Sequence, residues 1–300
     1  MIDRRRARAA FAAYVKPYDM TSSRIALKVK HTYKVAAIGE QIARAEGLEP
    51  DEVDLAWLCC LLHDLGRFEQ LRRWDTFRDG ASASHASLGV DVLFGEAATP
   101  ANAPELADVV PVEHPGDLRA LGSGRIESFL DDRTDDLLIR VAVGVHSNLF
   151  VPAGLDARTR LFCDIVRDAD KVDIFRASGY ENTPETVQGV STEQFLASEV
   201  SPDAETAFYE HRTLSRDERH TPLDMHVGTV ALVYGLVFSA SLRIAVEQGF
   251  IYKDLDEPFG IDLAAHPFER ADTRVTWAAM TAHLRAWVAD ELAARTERRR

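Results

Sequence analysis

An adjacent histidine and aspartate, His63 and Asp64, follow an apolar run at residues 55–62. A carboxylate among leucines carries a large desolvation penalty, which a divalent cation offsets. Imidazole and carboxylate together are donors that bind divalent transition metals. For an isolated pair, a helix end whose acid is solvated is the favoured interpretation, because the dipeptide is common. Four further residues elsewhere in the chain change that balance.

Two more donors lie on apolar faces of predicted helices. His31 shares its face with apolar residues four, seven and eleven positions later, in a helix that we expect to end at Gly47. Asp170 lies on the apolar face of a helix predicted over residues 156–176. An acid on such a face is rarely buried without a partner. These placements favour an interior site over a solvated surface.

Two histidines lie at predicted helix ends. Ser82 or Ser84 is expected to cap a short helix whose first turn contains His85. An apolar helix predicted over residues 137–145 ends at His146. His85 is therefore expected close to the mouth of whatever the bundle encloses.

The six donors exceed the needs of one four-coordinate metal. They match two metals about 3.5–4 Å apart, with one carboxylate, most naturally Asp64, between them. Mn, Fe, Co, Ni and Zn suit this donor set better than a cysteine-rich structural zinc site does. His114 is a further histidine, but it lies in a predicted loop after a short helix at 104–110, which favours a surface position.

Composition limits the class of protein. The chain has 300 residues, 46% of them hydrophobic and 28% charged, which suits one large domain or a domain with an extension. Its net charge of −13 argues against general binding to nucleic acid polymers or acidic membranes, which requires a basic face. A small anionic substrate remains compatible, because a metal and a few basic residues reverse the charge locally.

Three cysteines, two of them adjacent in an apolar run, indicate reduced core thiols rather than a disulfide framework. No apolar signal core follows the basic N-terminal residues. The uncharged run at 227–242 is short for a bilayer span and is predicted to be a buried helix. We therefore expect a cytoplasmic protein.

The remaining pattern is helical, and we predict an all-α fold. A helix is expected over residues 3–15, another from Pro50 to a stop at Gly66, and then a polar loop at 72–80. A hydrophobic helix is predicted over 222–248, followed by a final amphipathic helix. We find no internal repeat and no strand pattern of useful length.

The order H…HD…H…H…D over roughly residues 24–176 resembles the HD-domain superfamily of metal-dependent phosphohydrolases. The HD pair alone is weak evidence, but together with an upstream histidine and a downstream Ala-Asp on a helix it is a specific pattern. The matching segments are His31-Thr32, Leu61-Leu62-His63-Asp64-Leu65-Gly66, Ser84-His85-Ala86-Ser87-Leu88-Gly89, Val145-His146-Ser147-Asn148 and Asp168-Ala169-Asp170-Lys171.

The resemblance implies a bundle with a five-helix core. Residues 1–177 would form an HD domain with an N-terminal helix, and residues 178–300 a helical extension packed on it. In such proteins a first metal would be held by His31, His63, Asp64 and Asp170. Members with a second metal add two histidines, which here correspond to His85 and His146.

The implied activity is hydrolysis of a small phosphate ester, with nucleotides as the leading substrate class, by attack of a hydroxide that bridges one or two divalent metals, Mg included. Asp64 would hold the metals, while Arg67 and Lys171 would carry catalytic positive charge. Lys34, one turn from His31, is a further candidate. Each cation is equally compatible with a surface charge or a salt-bridge partner, and Arg67 is the strongest of the three.

Two other functions share the pattern. HD-type diiron oxygenases use the same ligand order, and a redox-active iron pair would identify them. A non-catalytic, metal-stabilised regulatory protein is the third interpretation, although its intact ligand set argues against it. The chain lacks the Gly-Tyr-Pro signature of cyclic-di-GMP phosphodiesterases, which disfavours a cyclic dinucleotide of that kind as the substrate.

A homodimer is compatible with the helical extension at residues 178–300.

Overall fold

The computed structural model describes residues 2–95 and 124–298, and the chain divides into two compact units, Met1–Asp170 and Lys171–Arg300. Within the described ranges every regular element is a helix, and no strand is present. This confirms the predicted all-α fold. The helix predicted at 104–110 and the predicted loop position of His114 lie outside the described residues.

The first unit is built from helices whose starts follow from local capping. Asp3 accepts from the backbone N–H groups of Arg5 and Arg6 and so caps the first helix. Ser84, rather than Ser82, caps the helix that begins at His85. The helices are α1 (Arg4–Val15), α2 (Ser23–Ala45), α3 (Pro50–Leu62), α4 (Leu65–Trp74), α5 (His85–Phe94), α6 (Ile126–Phe129), α7 (Asp136–Val145) and α8 (Ala157–Ile174).

Helices α2 and α3 pack closely because α2 has a glycine where it meets α3. A Cβ atom on Gly39 would lie 2.3 Å from Cys60 Sγ, which is far inside van der Waals contact. The missing side chain lets the two backbones approach. This packing brings His31 on α2 near His63 at the end of α3.

The predicted helix stop at Gly66 is wrong. Helix α3 ends at Leu62, His63 and Asp64 form a break, and α4 then runs from Leu65 to Trp74, into the predicted polar loop. The helix ends where Asp75 adopts a left-handed conformation with φ of 51°. The break lies at the two chemically important residues, so the HD pair occupies a junction between helices.

Gly66 is needed for packing rather than for ending a helix. A Cβ atom there would lie 2.0 Å from the carbonyl oxygen of His85 and 2.5 Å from the backbone nitrogen of Gly89. No larger residue fits without moving the backbone of α5. The first turns of α4 and α5 are therefore in direct contact, and this contact brings Asp64 and His85 together.

The second unit starts within the last turn of α8, and a π-helix follows at Phe175–Tyr180. Short helices come next, and a long amphipathic helix ends the described chain. They are α9 (Pro184–Gln188), α10 (Thr192–Leu196), α11 (Pro202–Tyr209), α12 (Pro222–Val230), α13 (Ser239–Gln248), α14 (Phe250–Asp256) and α15 (Ala271–Glu297).

The prediction of a single helix over 222–248 is also wrong, because the chain there forms two helices, α12 and α13, with a break between them. A 3-10 segment, Ala231–Gly235, is followed by extended backbone at Leu236. Arg295 donates to the carbonyl oxygens of Leu236 and Phe238 at 2.9 and 3.2 Å. The guanidinium of Arg295 thus satisfies carbonyl groups that an unbroken helix would pair internally.

Candidate metal centre

All six predicted donors lie in the first unit and converge. Their burial is high, with five of the six buried and Asp170 partly exposed. Within residues 2–95 and 124–298, two overlapping groups have donor atoms within 4.8 Å of one another: one contains His31, His63 and Asp170, and the other contains His63, Asp64 and His146. The side chains that were grouped from sequence spacing are therefore neighbours in space.

The two oxygens of Asp64 face different histidines. Oδ2 lies 3.7 Å from Nε2 of both His31 and His63. Oδ1 lies 3.7 Å from Nε2 of His85 and 3.8 Å from Nε2 of His146. One carboxylate is thus shared between two sets of imidazoles.

We call these sets the first and the second half-site. The first contains His31, His63 and Asp170 with Asp64 Oδ2; Asp170 Oδ1 lies 3.0 Å from His31 Nε2 and 3.6 Å from His63 Nε2. The second contains His85 and His146 with Asp64 Oδ1, and the two Nε2 atoms are 3.0 Å apart. Nitrogens that bind one ion at about 2.0–2.1 Å require a similar separation.

The far nitrogens of three histidines are already engaged. Nδ1 of His63 donates to the carbonyl oxygen of Cys60 at 2.7 Å, and Nδ1 of His146 donates to that of Val143 at 2.7 Å. Nδ1 of His85 lies 2.9 Å from both carboxylate oxygens of Asp79. These bonds place the proton on Nδ1 and leave Nε2 as a lone-pair donor.

One of those donors has no protein partner. His63 Nε2 is buried and accepts no hydrogen bond from any described residue. A buried polar atom without a partner is costly, and the cost disappears when a cation binds it. The donor set and this unpaired nitrogen fit a divalent metal.

The carboxylates are held in the ionised form. Burial opposes ionisation of Asp64, but nearby positive charge, that of Lys28 foremost, outweighs it and holds the pKa of Asp64 well below its ordinary range. Burial likewise opposes ionisation of Asp170, whose hydrogen bond with His31 helps to hold its pKa well below that range. The carboxylates of Asp64 and Asp170 are therefore both negatively charged at neutral pH, as metal ligation requires.

The histidines of the second half-site are held neutral. Burial, and next the neighbouring His85, lower the pKa of His146 to about 3. Burial and then the charge of Arg67 lower the pKa of His85 as well. A neutral imidazole is the form that binds a metal, so no proton competes for these nitrogens at neutral pH.

Arg67, one of the cations that the resemblance makes a catalytic candidate, lies beside Asp64. Its Nε is 3.5 Å from Asp64 Oδ1, and its Nη1 donates to the carbonyl oxygen of Phe77 at 2.7 Å and lies 3.2 Å from Asp79 Oδ1. Lys34 is exposed, and the ammonium of Lys171 donates to the carbonyl oxygen of Gly235 at 2.5 Å. Of these three cations, Arg67 is the one that the structure places next to Asp64.

Sequence reasoning missed Lys28. Its Nζ lies 2.7 Å from Asp64 Oδ2, and its side chain is only 16% exposed. Lys28 precedes His31 by three residues, so the two share a helix face. That spacing was a usable signal, but Lys34 has the same spacing on the other side of His31.

Sequence reasoning also missed Asp79, which lies in the turn before α5. Its carboxylate accepts from Gln70 Nε2 at 2.8 Å in addition to its bonds with His85 and Arg67. Burial opposes its ionisation, but His85 and Arg67 outweigh burial and hold the pKa of Asp79 far below its ordinary range. No local pattern marks an acid in a polar loop as a partner of a metal ligand.

Arg167 holds the backbone around His146. The guanidinium is buried, and Nη1 donates to the carbonyl oxygens of Val145 and His146 at 3.1 Å each. Nη2 donates to the carbonyl oxygen of Leu149 at 3.1 Å. These bonds satisfy the end of α7 and fix the position of His146.

One comparison with known families covers part of the chain that contains this site. Residues 29–111 match the family model described as HD domain. The match includes His31, His63, Asp64 and His85, whereas His146 and Asp170 lie beyond it. Searches of curated proteins and of solved structures returned no significant match. No helix in the described part of the chain is both long enough and apolar enough to cross a membrane.

Proposed function

We propose that this chain, whose residues 29–111 match the HD-domain family model, is a metal-dependent phosphohydrolase that acts on a small phosphate ester, with nucleotides as the leading class. The observation that carries the proposal is the shared carboxylate of Asp64. One of its oxygens faces His31 and His63, and the other faces His85 and His146. Such an arrangement suits two divalent ions with a common ligand.

The two half-sites would hold the ions through four imidazoles and two carboxylates. Mn, Fe, Co, Ni, Zn and Mg are the candidate ions, since this donor set is neither purely hard nor purely soft. When bound, such ions supply an activated water nucleophile and neutralise the charge of a phosphoryl group. The role of this chain's own residues is to keep the metal ligands deprotonated. The buried site does this without help from bulk solvent.

Lys28 and Arg67 would bind the substrate phosphate. They flank opposite oxygens of Asp64, at 2.7 Å from Oδ2 and 3.5 Å from Oδ1 respectively. Both cations also lie over the ring of Phe77, at 5.4 and 5.7 Å from its centroid, which limits their freedom. Two oriented cations beside the metal ligands favour an anionic substrate, and this supports hydrolase over oxygenase chemistry.

The test measures phosphate release from nucleotides and simple phosphate esters with each candidate metal. We would compare the wild type with Asp64→Asn, and use Asp75→Asn as a matched control on an exposed carboxylate. Asp64→Asn should lose at least about 100-fold in turnover, because removal of a ligand costs more than the 10–100-fold typical of its supporting residues. Asp75→Asn should retain wild-type turnover.

Failure has a defined meaning. If no ester is turned over with any metal, the hydrolase proposal is wrong. Oxygen consumption by the iron-loaded protein in the same assays would instead favour the diiron oxygenase alternative.

A further inference from the structure

The three histidines with an observed Nδ1 bond are not supported in the same way. His63 and His146 donate to carbonyl oxygens of their own helices, three residues earlier. His85 instead donates to the side chain of Asp79, at 2.9 Å from each oxygen. A backbone carbonyl is neutral and present in any sequence, whereas Asp79 adds a full negative charge and depends on one side chain.

Asp79 is itself fixed in position. Its side chain is 7% exposed, and it accepts from Gln70 Nε2 at 2.8 Å while Arg67 Nη1 lies 3.2 Å away. The bonds from Arg67 and Gln70, both on α4, orient the carboxylate toward His85 at the start of α5. Asp79 therefore determines both the tautomer and the ring orientation of His85.

The two half-sites are chemically unequal. The first has two imidazoles, the Asp170 carboxylate and one oxygen of Asp64. Among the residues that the structure describes, the second has two imidazoles and only the other oxygen of Asp64. The second half-site thus has less negative charge with which to hold a dication, and a carboxylate hydrogen-bonded to His85 makes that imidazole a stronger ligand.

We propose that Asp79 is a positioning residue that controls occupancy of the second half-site, while the first half-site binds its ion independently of Asp79. This inference rests on the proposed two-metal function, but it makes a separate claim about which ion is lost. Without Asp79, the protein would retain one ion and have an empty or weakly occupied position beside His85 and His146.

The experiment is a calorimetric titration of the metal-depleted, full-length protein with Co²⁺, with the visible absorption of bound cobalt followed in parallel. The wild type should bind two ions per chain. Asp79→Asn keeps the shape of the side chain but removes its charge. It should bind the first ion unchanged and the second about 10–100-fold more weakly.

Controls separate positioning from loss of structure. Asp75→Asn makes the same chemical change on an exposed carboxylate and should bind two ions like the wild type. Far-ultraviolet circular dichroism checks that each variant is folded. If Asp79→Asn is not folded, Asp79→Ser takes its place, since the smaller side chain does not crowd the turn.

The possible outcomes distinguish failure of the proposed role of Asp79 from failure of the proposed two-metal function. Two ions bound with wild-type affinities in Asp79→Asn would overturn the role of Asp79 and leave the two-metal proposal intact. Equal weakening of both ions would also overturn it, because the effect would not be confined to the second half-site. A wild type that binds fewer than two ions would overturn both proposals.

Discussion

Lys28 and Asp64 form a largely buried ion pair in which Nζ lies 2.7 Å from Oδ2. The same oxygen lies 3.7 Å from the Nε2 atoms of His31 and His63. The ammonium group therefore interacts with the oxygen that the first half-site would offer to a metal. Two cations near one carboxylate repel each other, so Lys28 should weaken metal binding while strengthening the binding of an anionic substrate.

Replacement of Lys28 by methionine should therefore have opposite effects on metal and substrate. Lys28→Met keeps most of the apolar stem but removes the charge. We expect the first ion to bind about tenfold more tightly, because loss of a like charge a few ångströms away is worth at least about 1.4 kcal/mol in a partly buried site. We expect KM for a phosphate ester to rise about tenfold, because a charge-assisted contact is lost.

The measurement combines a metal titration with steady-state kinetics. Lys34→Met is a matched control, since Lys34 is an exposed lysine on the same helix, at the same spacing from His31. It should change neither quantity. If Lys28→Met binds metal more weakly than the wild type, the ammonium group supports the ligand set rather than competing with it.

Asp170 should matter for the first half-site alone. Its Oδ1 lies 3.0 Å from His31 Nε2, whereas the oxygen facing His85 belongs to Asp64. Asp170→Asn removes one of the two negative ligands of the first ion. We expect the variant to lose the first ion, and turnover to fall by at least about 100-fold, more than for a supporting residue.

Metal content by mass spectrometry after dialysis, together with phosphate release, tests this prediction. Asp170→Asn and Asp79→Asn should each retain one ion, but the visible absorption of the bound cobalt should differ between them, since the two variants should empty different half-sites. Retention of two tightly bound ions in Asp170→Asn would contradict the assignment of Asp170 as a ligand.

Gly66 should be intolerant of any side chain. In Gly66→Ala the new Cβ atom would lie 2.0 Å from the carbonyl oxygen of His85, which is backbone and not a flexible side chain. Overpacking of this kind costs about 1–3 kcal/mol. Because the displaced segment contains His85, the second half-site should also bind its ion more weakly.

Thermal unfolding and cobalt titration of Gly66→Ala measure the two effects. Gly80→Ala is the matched control, because a Cβ atom at Gly80 meets nothing within 4 Å. The control should unfold close to the wild-type temperature. An equal stability of Gly66→Ala and wild type would show that α4 and α5 can separate without cost.

The six donors were predictable because each carries a local signal. His31 lies on an apolar helix stripe, and His63 and His146 lie at helix ends beside apolar runs. A polar residue in such a position requires a partner, and several of them in one chain indicate a common one. The family resemblance added the grouping that spacing alone does not provide.

The supporting residues were not predictable in this way. Lys28 and Lys34 lie three residues before and after His31, and only packing against other helices decides which of them meets Asp64. Asp79 lies in a loop whose path depends on α4 and α5. These residues act through tertiary contacts that leave no periodic trace in the sequence.

The helix boundaries failed for a related reason. Gly66 resembles a helix stop, because glycine commonly ends helices. Here it lies in the first turn of α4, where the missing Cβ atom permits the close approach of α5. In the second unit, the uncharged run at 227–242 gives no sign of the break between α12 and α13. Arg295 makes that break possible, because it donates to the carbonyl oxygens there.

Asp254 in the second unit should make stability depend on pH. The carboxyl group is fully buried, and neither oxygen has a hydrogen-bond partner among the described residues. Burial raises the pKa of Asp254 well above its ordinary value. Between that ordinary value and the raised one, the folded protein binds a proton that the unfolded chain does not, so stability falls as the pH rises.

Asp254→Asn removes the ionisable group at nearly constant shape. We expect it to raise the unfolding temperature at pH 7 and to flatten the decline of stability between about pH 4 and pH 7, since the ordinary carboxyl pKa is about 3.9. Asp256→Asn is the control: this acid lies on the same helix, but it is exposed and paired with Arg285. Thermal unfolding of the three proteins across that pH range is the measurement. A wild type whose stability rises steadily with pH, with Asp254→Asn parallel to it, would show that Asp254 is ionised in the folded protein.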